Sequence, residues 1–390
     1  MLEGINGLLL NLNVMERWGS INAKDDFNQL VKQATNATVL FFLGKQYEYE
    51  TKTKLNWEIF PRIMTFYACK NVYATADVTE AVINRTLKTA TLPPSAMTDY
   101  AIEKIAEKIS PEFAEWCCEG IGTDEETLYK AASKIATLVE LRQISSTDRR
   151  FKRDKLKSIE RDLSKYKSIP GMKEMTSERM LNAMQFIAKM RYQNRWATFP
   201  KNVKCSVLGH EFDTAVYSYI ISIEKGFCES NATKAFFLGL FHDLGELLTK
   251  DMPSSTKDGI DGYRDASEIV EEELMEEELY PRFPKHLADE LRQQNFELPI
   301  NSKFTKIVKG ADYLSAASEI DRQVNSGSRY SGYLMALLKH EDKFRKGKAI
   351  LGPETRKLFK RICRTSYRFL ITNSNSKVKA TKMLLKVMFG

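Results

Sequence analysis

KAFFLGLFHDLGELLTKDMP, residues 234–253, is an apolar run interrupted by His242-Asp243, where a buried helix would carry leucine or alanine. Its composition predicts one helix, closed by Thr249, Asp251 and Pro253, because proline cannot continue a helix and restricts the residue before it. At 3.6 residues per turn, His242, Glu246 and Thr249 fall at i, i+4 and i+7 on one face, with Asp243 one position round. Titratable groups on an apolar helix are costly unless they are paired or hold a metal. That cost is the first functional signal in the chain.

Outward from this stretch the periodicity is helical almost everywhere. Leu2 to Trp18, Ala101 to Ile109, Leu128 to Leu141 and Phe304 to Val324 each place their apolar residues on one stripe, and alternating strand patterns are scarce. The expected fold class is all-α. The turn at Pro170-Gly171 marks the best internal boundary. A chain of 390 residues has room for two domains or more, and 43% apolar residues suffice for real cores. No apolar run reaches membrane-spanning length, and Leu8-Leu9-Leu10 lacks the basic lead of a signal peptide. The six cysteines show no CxxC spacing, so free thiols in a reducing cytoplasm are expected.

The two halves of the chain echo each other. Met15-Glu16-Arg17-Trp18 recurs as Gln193-Asn194-Arg195-Trp196, residues 67–77 lie over 241–251, and residues 130–134 over 309–313, with Glu140 over Glu319. The offsets are 178, 174 and 179 residues (195 − 17, 251 − 77 and 312 − 133), in the same order along both halves. Three ordered matches at nearly one offset point to a duplicated domain. The copies differ where chemistry would sit: Ala68-Cys69 face His242-Asp243, Val72 faces Glu246 and Ser133 faces Asp312. All four histidines lie in the second half, so the fold is kept in the first and the metal lost. The expected layout is two tandem helical bundles, a degenerate one over 1–170 and a metal-bearing one over 171–345, then a basic helical extension over 346–390.

His210, His242, Asp243 and Asp312 supply two imidazoles and two carboxylates, a set suited to one borderline divalent ion: Mn, Co, Fe, Ni or Zn. Such an ion lowers the pKa of water and holds it against an electrophile. Glu246, one turn beyond His242, can orient that water or move its proton.

The order H…HD…D resembles the HD-domain metal-dependent phosphohydrolases. More narrowly, the second half resembles the YfbR-like 5′-deoxynucleotidases. The likeness is carried by Arg195-Trp196, Asn202-Val203, Ser206 to His210, the spaced set Phe241-His242-Asp243, Glu246, Thr249 and Asp251-Met252-Pro253, and Val308-Lys309 with Ala311-Asp312. It implies a compact HD-type helical domain whose one metal is held by His210, His242, Asp243 and Asp312, so that the repeats make the expected layout two tandem HD-like bundles. It also implies attack of metal-activated water on the phosphorus of a (deoxy)nucleoside monophosphate. Glu246 would then be the catalytic carboxylate, and Arg195 would grip the phosphate. Trp196 would pack by the sugar, and Asp251, beside Thr249, would serve the sugar or the leaving group. Gly209 stands where the family usually carries an acidic residue, with Glu211 after it.

Blander readings stand beside these. His286 and His340 read as surface residues. Arg195-Trp196, echoed by Arg17-Trp18, could be a helix end, or the first half could bind a nucleotide without cleaving it. The basic runs Arg149 to Lys167 and Lys343 to Lys386 are most simply solvated faces, as is the acidic run Asp265 to Glu278. Alternatively the basic runs make weak nucleic-acid contacts, and the site hydrolyses a nucleoside triphosphate, a cyclic dinucleotide or a nucleic-acid end, or only senses a nucleotide. A homo-oligomer is compatible with the sequence, although internal duplication could replace a dimer contact.

Overall fold

Two helices are buried on every side, and the molecule is built around them. The computed structural model describes residues 1–18, 27–145, 148–250, 259–295, 302–347 and 349–372. Among these the secondary structure is helical, relieved by two isolated antiparallel bridges, Glu16 with Asn28 and Asn194 with Ser206. Helix α1 (Leu2–Val14) leads to α2 (Gln29–Thr51), α3 (Phe60–Lys70), α4 (Glu80–Thr89), α5 (Ala96–Lys108), α6 (Pro111–Cys118), α7 (Asp124–Gln143) and α8 (Arg149–Ser164). After the short α9 (Met172–Met175) come α10 (Glu178–Ile187), α11 (Val207–Glu224), α12 (Glu229–Phe241) and a single turn, α13 (Glu246–Thr249). Then follow α14 (Tyr263–Leu274), α15 (Lys285–Asn295), α16 (Lys303–Asn325), α17 (Gly332–Arg345) and α18 (Pro353–Thr372).

The two central helices are α2 and α11. Each starts from a side-chain cap that satisfies an otherwise orphaned backbone N–H: Asn28 accepts from Val31 and Ser206 from Gly209. Each buries polar residues all round as well as apolar ones. The two pack on each other, with Leu30 against Gly209. Around them α12 and α16 clasp α11, and α7 and α1 clasp α2. Contact between α11 and α12 is close enough that a Cβ on Gly239 would meet Ser218 Oγ at 2.7 Å and the backbone of Ala215 and Thr214 at 3.0 Å.

One apolar core runs through both halves. Phe41 of α2 lies 5.4 Å from Phe237 and 5.0 Å from Phe241 of α12, ring centre to ring centre. On the other side, Trp116 of α6 lies 5.7 Å from Tyr219 of α11. Polar links cross as well: Asn6 Oδ1 accepts from Tyr217 and Ser318, and Arg62 of α3 pairs with Glu229 of α12. The expected turn at Pro170-Gly171 is present, Gly171 taking φ +87°, but its N–H donates to Glu50 of α2. The C-terminal extension is likewise docked, since Glu224 of α11 caps the start of α18 by accepting from Glu354 and Thr355. Residues 373–390 lie outside the described residues. The basic run survives as α8, whose polar face is exposed. Among the described residues no helix is long and apolar enough to cross a membrane.

Candidate metal centre

The stretch expected as one helix from 234 to 253 is broken at its most polar point. Helix α12 ends at Phe241 with His242 as its cap, and residues 242–245 form tight turns before α13. There Leu244, Glu246 and Leu247 donate to carbonyls three residues back. Two side-chain bonds stabilise the break: His242 Nδ1 to Gly239 O at 2.9 Å, and Asp243 N–H to Glu211 Oε1 at 3.2 Å. His242, Glu246 and Thr249 therefore do not form one continuous helical face. The buried Glu211 diverts the chain.

Four of the residues singled out in the sequence converge. His210 comes from the first turn of α11, His242-Asp243 from the end of α12 and Asp312 from the middle of α16. His210 Nε2 lies 3.3 Å from Asp312 Oδ1 and 3.8 Å from Asp243 Oδ2, and His242 Nε2 lies 3.1 Å from Asp243 Oδ2. Candidate ligand atoms of His210, His242 and Asp312 all fall within 4.8 Å of one another.

Neighbours fix the imidazole tautomers. Gly239 O can only accept, so His242 Nδ1 carries the proton, with Glu211 Oε2 also at 2.9 Å. His210 Nδ1 faces Ser315 Oγ at 2.9 Å and the Glu319 carboxylate at 3.1 Å. In both rings Nε2 is left to face the cluster, as metal-binding histidines require. His242 Nε2 is buried and makes no hydrogen bond of good geometry, although a carboxylate oxygen stands beside it. The electrostatics ask for a cation. Burial opposes protonation of His242, yet Asp243 and Glu211 override it and push its pKa well above the ordinary imidazole range. Burial also opposes ionisation of Asp312, yet Lys309 and the histidines hold its carboxyl well below the usual range. A divalent ion fits this donor set.

Arg195 and Trp196 sit on the loop between α10 and α11, which the Asn194–Ser206 bridge closes. Trp196 takes φ +58°, a left-handed conformation unusual for a bulky residue. Its Nε1 donates to Glu319 Oε2 at 2.7 Å, and its ring packs on Phe199 and Tyr333. Arg195 Nε lies 3.2 Å from the same oxygen, and its terminal nitrogens lie 3.7 Å from Asp243 and 4.0 Å from Asp312. Glu246 is buried at the start of α13, bonded through its N–H to Asp243 O. Thr249 is half-buried at the end of α13, its hydroxyl turned to Gly245 O at 3.4 Å. Asp251 lies outside the described residues.

Several groups escape sequence reasoning. Glu319 ties His210, Arg195 and Trp196 together, and although burial opposes it, Arg195 and His210 lower its pKa to about 2. It stands with Asp312 and Ser315 at i, i+3 and i+7 of α16, a helical signal that could have marked it. Glu211 follows the histidine it neighbours in sequence but supports His242 instead. His286 and His340, expected on the surface, are both half-buried. His286 stacks on Tyr49 and bonds Gln46. His340 packs on Tyr313, beside Asp312, with the two rings tilted by 30°, and burial pushes its pKa down to about 4.

The model of one protein family, 5′-deoxynucleotidase YfbR-like, matches residues 182–346, the span from α10 to the end of α17. No curated protein matches the chain.

Proposed function

Taking residues 182–346 as an HD-superfamily phosphohydrolase segment of YfbR-like type, we propose that this protein removes the 5′-phosphate from (deoxy)nucleoside monophosphates. The observation that carries the reading is the convergence of two imidazole Nε2 atoms and two carboxylates, with both tautomers fixed from behind. His210, His242, Asp243 and Asp312 hold one divalent transition ion from the Mn, Co, Fe, Ni and Zn group. When bound, that ion supplies Lewis-acid charge to the phosphoryl group and to the attacking water.

The protein's own residues do the rest. Arg195, whose planar fork suits phosphate oxygens, stands beside the two carboxylates that face the ion, so it meets a phosphoryl group presented there. Glu319 keeps that guanidinium in place. Glu246 takes the proton of the attacking water as the new P–O bond forms. As the ester P–O bond breaks, the proton passes to the 5′-oxygen, directly or through Asp251, so nucleoside and inorganic phosphate leave. Trp196, with its indole pinned by Glu319, forms the wall beside the sugar, where a 2′-hydroxyl would be crowded. Thr249 borders the same pocket.

The test is phosphate release from a panel of ribo- and deoxynucleoside monophosphates by metal-stripped protein with Mn, Co or Zn restored. Release that needs metal, favours deoxy substrates and vanishes in Asp243→Ala supports the reading. Pyrophosphate or triphosphate from a nucleoside triphosphate, or a linearised dinucleotide, would redirect it to another phosphate ester. Silence across all of them would leave a sensor.

A further inference from the structure

The chain holds a second constellation with the same internal wiring. The bridges Glu16–Asn28 and Asn194–Ser206 differ by 178 at both ends (194 − 16 and 206 − 28). Trp18 and Trp196, equally spaced, both take left-handed backbone, φ +63° and +58°. Trp18 Nε1 donates to Glu140 Oε2 at 3.2 Å and Arg17 pairs with the same oxygen at 3.0 Å, as Trp196 and Arg195 do with Glu319. By the same offset His210 corresponds to Lys32 (210 − 32 = 178). Lys32 is buried in the first turn of α2, as His210 is in the first turn of α11. Its Nζ donates to Ser133 O at 3.0 Å and Thr137 Oγ1 at 2.8 Å, with Glu140 Oε2 at 3.9 Å. Ser133 is the residue aligned with Asp312.

We propose that the first half is a second copy of the site framework in which the Lys32 amine stands in for the histidine and the ion, leaving a copy that takes neither a divalent metal nor a nucleotide. A divalent ion needs a set of lone pairs; here Ala68 and Cys69 replace His242 and Asp243, and Lys32 brings donors, already bonded to Ser133 and Thr137, where His210 brings a lone pair. A phosphate entering this copy would find no metal-ligand set to draw it in and would have to compete with the carboxylates that Arg17 pairs with. Arg17 is already shared between Asp77 at 3.2 Å and Glu140, and Asp77 also accepts from Trp18 N–H. The copy is neutralised from within. Its retained Arg-Trp-Glu wiring ties Arg17 and Trp18 to α7 and serves packing, not ligand capture.

The inference rests on reading His210, His242, Asp243 and Asp312 as ligands, and the experiment separates the two. Equilibrium dialysis of the full chain against Mn(II) is expected to give one equivalent, and none in Asp243→Ala/Asp312→Ala. No metal in the unmodified chain would overturn the reading of the second half. Two equivalents, or one surviving in the double variant, would overturn the proposal for the first. The converse is a graft, Lys32→His with Ala68→His, Cys69→Asp and Ser133→Asp in the full chain, expected to add a second equivalent. A folded graft, judged by circular dichroism and Tm, that gains none would overturn the equivalence of the two sites. Should the graft not fold, calorimetric titration with dAMP in a Glu246→Gln background decides. Arg17→Ala is expected to leave Kd within about twofold while Arg195→Ala weakens it at least tenfold. A second binding event lost in Arg17→Ala would overturn the proposal.

Discussion

Glu319 is the residue on which most of the site's order depends, because one carboxylate answers to an imidazole, a guanidinium and an indole. Glu319→Gln keeps the shape but removes the charge and one acceptor oxygen. Metal affinity and kcat/KM are expected to fall about 10–100-fold, with a stability loss of about 1–3 kcal/mol from the buried donors left behind; metal titration, steady-state kinetics and urea unfolding check the three. Lys32 gives a pH signature. Burial lowers its pKa from 10.5 to about 7, against Glu140 and Asp77, which raise it, and with Arg17 and Lys134, which add to the fall. Between those two values the unfolded chain binds the extra proton, so stability rises with pH from about 7 to 10.5, by at most about 1.4 kcal/mol per unit from this residue. Unfolding curves across that window should lose this slope in Lys32→Met; an unchanged slope would place the titration elsewhere. His210, His242, Asp243 and Asp312 are legible in sequence because polar residues on apolar helices stand out. Glu211, Ser315, Glu319 and Lys32 are not, because a buried polar residue declares its partner only once the helices are packed.

Among the elements, the long helices are legible and the break between α12 and α13 is not. Periodicity registers an apolar run, but the turn at 242–245 comes from a carboxylate on another helix, 32 residues earlier, accepting the Asp243 N–H. A tertiary bond overrides local propensity there. Gly239 shows the same dependence on packing. Gly239→Ala adds a Cβ that would meet Ser218 Oγ at 2.7 Å and α11 backbone at 3.0 Å, and the carbonyl of the same residue orients His242. Backbone cannot yield as a flexible side chain would, so α12 must shift. A destabilisation of about 1–3 kcal/mol is expected, with weaker metal binding; calorimetry and a metal titration on one sample measure both, and an unaffected titration would free His242 from this contact.

For the molecule as a whole, composition and periodicity suffice for an all-α chain, and the Pro170-Gly171 turn is where they place it. What they cannot convey is that apolar stripes on either side of that turn are one another's partners. With Phe41 seated against Phe237 and Phe241, and Trp116 against Tyr219, the chain is expected to unfold in one transition by calorimetry and circular dichroism; two separated transitions would contradict it. The same seating bears on abundance. Under the proposal that the first half carries no chemistry of its own, its aromatic face still serves as the other half's inner wall. Substitutions in that face, Phe41→Ala or Trp116→Ala, are therefore expected to lower the abundance of folded protein while leaving the catalytic constants of the molecules that remain little changed.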